Sequence, residues 1–333
     1  MSAALVGLGW SALAAGGLAL ARMWRRESRA DRLLLLLYHR VVSPETYARL
    51  HGAERIFSIA EDRFEQQLAW LREGGYSVVA LDQVVQALER GGNLPERAVC
   101  ITFDDGCESV YRNALPRLAR QGMTATVFVT TDPDAWIFHE GEYTERRMTL
   151  EELRALAAAD WCIGSHAVTH RGLNEMSEAE ALGELERSRK QLTEWIGRPV
   201  EHFAVPLNFY SRATLAQCRR AGYRSVCTSD PGGTCPGSSP FHLRRVTVEG
   251  THDLEGFRRS LEPRSLVQRR VLAALKKVPP KLLGERIWMP LRERIFASAL
   301  GPWLSFRHLR LALAASAALL VALLVVSTVA LVL

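Results

Sequence analysis

Cysteine is scarce and scattered in this chain. The six present, Cys100, Cys107, Cys162, Cys218, Cys227 and Cys235, show no close pairing, which excludes a disulfide-stapled scaffold and fits a reducing compartment. Internal repeats and low-complexity tracts are also missing outside two apolar ends, so no repeated unit hints at a ligand. Lys and Arg are missing from residues 1–21, and the apolar stretch 3–21 therefore lacks the basic leader region of a cleaved secretory signal. The basic excess is regional. Between Arg258 and Arg310 thirteen Lys and Arg stand against three Glu, a local +10 that leaves −4 of the overall +6 for the rest.

What the ends do have is apolar length. Residues 3–21 are uncharged and precede Arg22, Arg25 and Arg26, and residues 311–333 are uncharged and follow Arg307-His308-Leu309-Arg310. At about 1.5 Å per residue the second easily crosses a hydrocarbon core of about 30 Å and the first just does. We therefore expect an N-terminal membrane anchor over 1–26 and a C-terminal transmembrane helix over 311–333. Residues 266–277 and 287–296 mix basic and large apolar side chains at helical spacing, as helices lying in an anionic headgroup layer do. That assigns 262–310 to membrane lipid rather than to nucleic acid, the other partner of a basic stretch.

The chemistry is concentrated in two short segments. Ile101-Thr102-Phe103-Asp104-Asp105-Gly106 places two carboxylates at the end of an apolar strand, and Gly164-Ser165-His166-Ala167-Val168-Thr169-His170 follows about sixty residues later. Strand neighbours point to opposite faces, but where the chain turns at the strand's end both can reach one cavity. One Asp and two His would hold a divalent ion with a position open for water, whose pKa falls from about 16 towards 7. The remaining carboxylate can then act as general base. Separately, each pair has an ordinary explanation, a surface turn or two core histidines; together they point to a metal hydrolase.

Residues 33–261, about two thirds of the chain, resemble the polysaccharide deacetylase (NodB-homology) family, carbohydrate esterase family 4. The likeness rests on the Asp104-Asp105-Gly106 and His166–His170 motifs, and on Leu37-Tyr38-His39-Arg40-Val41, Phe203-Ala204-Val205-Pro206 and Leu243-Arg244-Arg245-Val246, which resemble the circularly permuted branch. The resemblance implies that Asp104 is the general base and that Asp105, His166 and His170 hold a metal, zinc by preference. It makes His39 the general acid, with His252 as the fallback, and the Leu207 backbone N–H the oxyanion donor. Arg245 would orient Asp104. Without the resemblance, His39 reads as a core histidine closing an apolar strand, His252 as part of an exposed turn, and Arg245 as half of a surface salt bridge. Departures from the family pattern are Ala167, Arg171, Cys107 and Leu207-Asn208. None removes a ligand or the base, so they alter the cleft wall. Cys107 reads as a small buried residue rather than a ligand.

Apolar runs near 33–38, 77–81, 99–103, 125–129, 162–165, 202–205, 224–228 and 243–248 alternate with helical patterns near 61–73, 82–90, 109–121, 150–159, 177–196, 211–221 and 253–261. This is βα repetition around a parallel sheet. Thr149 to Glu152 reads as a capping box, and Gly122, Gly197 and Gly222 as helix stops. The expected fold is an α/β, deformed and partly open (β/α) barrel of the NodB-homology type, flanked by the two membrane helices, with its site at the C-terminal strand ends. Residues 132–147, with Trp136, Phe138, His139 and Tyr143, suit a lid or sugar-binding loop, or a plain surface excursion.

Arginines follow the first apolar span and precede the second, which places the intervening domain in the cytoplasm at an inner membrane, whereas most members of the family act outside the cell. The expected function is metal-dependent hydrolysis of the N-acetyl group of an amino sugar, in a polysaccharide or lipid-linked glycan, in association with a glycan synthase or export complex. The alternatives are an O-acetyl esterase, a deformylase of a lipid-linked sugar, or a silent glycan-binding scaffold.

Overall fold

The computed structural model describes residues 16–276 except 133, 135–137 and 141–142. The chain divides into two units: Arg26–Arg270, and a second made of Met1–Arg25 with Val271–Leu333. In the second unit, residues 16–25 and 271–276 are helical. No helix among the described residues is long and apolar enough to cross a membrane. The expected spans 3–21, except for 16–21, and 311–333, and the interface segment 287–296, lie outside the described residues. Residues 266–276 do form helix, within Pro263–Lys276.

The first unit is built on strands β1 (Leu34–Tyr38), β2 (Arg40–Val42), β3 (Ser58–Ala60), β4 (Ser77–Val78), β5 (Ala98–Phe103), β6 (Thr126–Val129), β7 (Phe138–Glu140), β8 (Tyr143–Glu145), β9 (Cys162–Ser165), β10 (His202–Ala204), β11 (Ser225–Cys227) and β12 (Arg245–Thr247). The main sheet runs β11-β10-β9-β6-β5-β1-β12, with β4 added on β5, and its pairings are parallel. A parallel bridge between Cys227 and Leu243 links β11 to the approach to β12, so seven strands form a nearly closed barrel. The expected deformed barrel is thus observed. Helices Glu61–Glu73, Leu81–Arg90, Leu150–Ala158, Glu178–Ile196, Arg212–Arg220 and Leu254–Ser260 lie where their periodicity predicts. The Thr149–Glu152 capping box forms, each residue accepting the other's N–H, and Gly197 closes its helix in the left-handed conformation. The pattern near 109–121 instead opens with a π turn, Val110–Ala114. The short β2–β3 pair and the β7–β8 hairpin were not predicted.

Strand parity positions the site. In β1 and β5 every residue is buried, as expected where helices cover one face and the barrel interior the other. Leu34, Leu36, Val99, Ile101 and Phe103 join the core that includes Phe64 and Leu68 of the helix Glu61–Glu73. Leu33, Leu35, Cys100, Phe128, Ala204 and Cys227 fill the interior, where Leu81, Val84 and Val85 pack against them; each such buried aliphatic contributes about 1.5–3 kcal/mol. Asp104 shares the parity of Cys100 and Thr102 and therefore enters the interior at the C-terminal end.

Candidate active site

Asp104 follows β5 and donates its N–H to the Tyr38 carbonyl at the end of β1, at 3.0 Å. Inside the barrel its carboxylate meets Arg245 of β12 end-on: Nη1–Oδ1 is 2.6 Å and Nη2–Oδ2 is 2.7 Å. Arg245 is fully buried, so it is no surface salt bridge. Its Nε donates to the Thr228 carbonyl, and its guanidinium lies 5.5 Å from the Phe128 ring centroid. Burial pushes the Asp104 carboxyl up, but Arg245 and then His166 outweigh it and hold the carboxyl below the usual range.

The chain then reverses. Asp105 has φ 75° and Gly106 φ 76°, and this left-handed pair turns the second carboxylate into the cavity that Asp104 enters. After β9, the His166 N–H donates to Val129 of β6, and Ala167 and His170 take φ of 66° and 58°. These bends bring both imidazoles to Asp105: its Oδ1 lies 3.6 Å from His166 Nε2 and 3.3 Å from His170 Nε2. One ligand atom from each of the three lies within 4.8 Å of the others. His166 Nδ1 donates to the Ala204 carbonyl at 2.9 Å, leaving the Nε2 lone pair free to face Asp105. Burial lowers the His166 pKa to about 4, so the ring is neutral at pH 7. Two imidazoles and a carboxylate, with that second hydrogen bond on His166 in place, suit a divalent metal.

Glu184, which sequence reasoning missed, holds the loop between the histidines. It is buried, and its Oε2 accepts from Val168 N, Thr169 N and Thr169 Oγ1 at 3.0, 2.8 and 3.1 Å. The available signal was an acidic residue within the apolar stripe Ala181, Leu185, Leu192 of its helix. Gly164 before the loop has no room for a side chain: a Cβ there would lie 2.4 Å from Phe128 Cδ1.

A cleft of about 650 Å³ opens on these groups, and His39, Phe57, Arg171, Glu175, Leu207 and Asn208 are among its walls. His39 follows β1 and lies against Phe57, ring centroids 4.8 Å apart; its Nδ1 is buried with no hydrogen-bond partner among the described residues. Burial lowers its pKa against the pull of Asp105 and Asp104. His252 is not among the lining residues; its Nε2 lies 3.6 Å from Glu249 instead. Leu207 lies in the Pro206–Asn208 turn with φ 56° and ψ 6°. Cys107 is buried, which pushes its thiol up. Of the expected lid, the aromatic side chains of Trp136, Phe138, His139 and Tyr143 lie outside the described residues. A second cluster, Asp82, Cys162 and His202, has both His202 ring nitrogens engaged, by Asp82 and Ser225, each at 2.8 Å; it reads as a latch.

Residues 91–226 match the family model described as polysaccharide deacetylase. The chain carries a polysaccharide deacetylase domain. A Bacillus subtilis protein named as a polysaccharide deacetylase is 26% identical over 225 residues, 68% of this chain and 74% of that protein. The poly-β-1,6-N-acetyl-D-glucosamine N-deacetylase of Staphylococcus aureus is 24% identical over 204 residues, 58% of this chain and 68% of the relative. The solved structure of a Streptococcus pyogenes deacetylase in complex with acetate covers 71% of this chain and all of its own, with a TM-score of 0.61 and 23% identity. The deacetylase domain thus shares its fold with a solved deacetylase, and the cleft described above lies at the C-terminal ends of its strands.

Proposed function

We propose that this polysaccharide N-deacetylase, a hydrolase of carbon–nitrogen bonds, is a zinc-dependent, membrane-anchored enzyme acting on a polymeric or lipid-linked acylated amino sugar. One observation carries the reading: Asp104, paired to a buried arginine, faces the same cleft as Asp105, His166 and His170. Those three would hold the metal, which when bound activates water and polarises the acyl carbonyl. Asp104, held ionised, accepts the proton released as water attacks. His39 donates a proton to the departing amine; a buried ring nitrogen left unpartnered is normally satisfied by something, here the substrate. The Leu207 N–H stabilises the developing oxyanion. Intact Asp104, Asp105, His166 and His170 argue against a silent scaffold.

The apolar ends and their flanking arginines support an inner-membrane anchor with the domain on the cytoplasmic side, beside a synthase or export complex. The test is acetate release from β-1,6-linked N-acetylglucosamine oligomers, set against formate release and O-acetylated sugars. Asp104→Asn should keep bound zinc and lose turnover; unchanged turnover refutes the base assignment.

A further inference from the structure

We propose that Asp230 is a positioning residue, which acts through Asn208 to hold the Leu207 N–H in the cleft. The inference rests on the oxyanion role proposed above for Leu207. Its basis is a run of two non-glycine residues, Leu207 and Asn208, both with φ 56°. Side chains disfavour this backbone, Asn least among the non-glycine residues, and a turn so strained persists only when its surroundings over-determine it.

The surroundings do so at both ends of the Asn208 amide. Its Nδ2 donates to Asp230 Oδ1 at 3.1 Å, and its Oδ1 accepts from Ser229 N at 2.8 Å. The other Asp230 oxygen accepts from Tyr210 Oη at 2.5 Å and lies 3.1 Å from His242 Nε2. Burial and the Asp230 charge keep the Tyr210 phenol protonated, so it remains a donor. The Asp230 carbonyl accepts from Arg245 N at 3.1 Å, and Arg245 grips Asp104. One residue therefore ties the turn bearing the oxyanion donor to the strand bearing the partner of the base. Asn208 and Ser229 line the cleft; Asp230 is not among the lining residues and its side chain reaches it through Asn208.

The experiment compares Asp230→Asn, Asn208→Ala and the double variant in the full-length, zinc-loaded enzyme, by steady-state kinetics on N-acetylglucosamine oligomers, zinc stoichiometry, and hydrogen exchange over 205–210. We expect each single variant to lower kcat about ten- to a hundredfold with KM and bound zinc unchanged. The double variant should be no worse than the weaker single, and exchange at 207–209 should rise in all three. Wild-type kcat, losses that multiply in the double variant, or a raised KM at constant kcat would overturn the positioning role. If the wild-type enzyme releases no acetate, the functional reading fails; the exchange data then decide the clamp alone, and unchanged protection overturns it.

Discussion

Arg245 and Asp104 form a two-pronged ion pair inside the barrel, with Nη1–Oδ1 at 2.6 Å and Nη2–Oδ2 at 2.7 Å. A lysine offers one charged atom and cannot reproduce the fork. Arg245→Lys should therefore leave Asp104 charged but loosely oriented, lowering kcat about a hundredfold with zinc retained. Arg245→Ala leaves a buried carboxylate unpaired and should destabilise the fold by about 3–5 kcal/mol. Denaturant unfolding and steady-state kinetics check both; equal stability in the alanine variant would show that Asp104 finds another partner.

Glu184 gives a prediction about a group that touches no metal. It accepts three hydrogen bonds from Val168 and Thr169, between the two histidines. Glu184→Ala orphans half-buried donors and frees the loop, and should weaken zinc binding about ten- to a hundredfold. Chelator competition measures this; wild-type affinity would show that the backbone bends alone fix His166 and His170.

How much of this was legible depends on where the physics is local. Apolar runs and helix periods are local, so β1, β5 and β9 and most helices lie where continuous apolar runs and 3.6-residue spacing put them. Asp104, Asp105, His166 and His170 were legible as residue types, since few other functions need two carboxylates and two imidazoles in strand-end motifs. Their convergence was not. It depends on positive φ at Asp105, Ala167 and His170, none a glycine, and in the histidine loop that backbone is braced by hydrogen bonds to β6 and Glu184 rather than by the residues' own preference. The full burial of Arg245 was hidden for a similar reason: an arginine is placed inside a barrel only by an acid on another strand, about 140 residues away in sequence.

The pH dependence follows from two shifted groups. Asp104 is held below the usual carboxylate range, with Arg245 outweighing burial, so the base form exists at every pH above that range. His39 is lowered below its ordinary 6.5 by burial, and its proton-donating form is lost as pH rises through that lowered value. The ratio kcat/KM should thus fall on the alkaline side because of His39, while Asp104 sets no limit near neutrality. His39→Gln should lower the rate about 10²- to 10⁴-fold and flatten that limb. A limb unchanged in His39→Gln would assign the titration elsewhere. For stability the sign is opposite: a histidine that folds neutral binds its proton more readily unfolded, so the fold loses stability as pH falls below about 6.5.

Sidedness is the property on which substrate choice turns, and the cysteines make it measurable. All six are buried, and burial raises each thiol pKa, so none is poised to react with an aqueous reagent. Asp134 is exposed, and Asp134→Cys would supply the reactive thiol that the native chain lacks. With arginines flanking both apolar ends, we expect an impermeant maleimide to label this cysteine only after cells are lysed, the result for a domain on the cytoplasmic face. The substrate is then an amino sugar still on its lipid carrier or emerging from its synthase, because finished polymer is out of reach. Labelling of intact cells would reverse the topology and make exported polysaccharide the substrate.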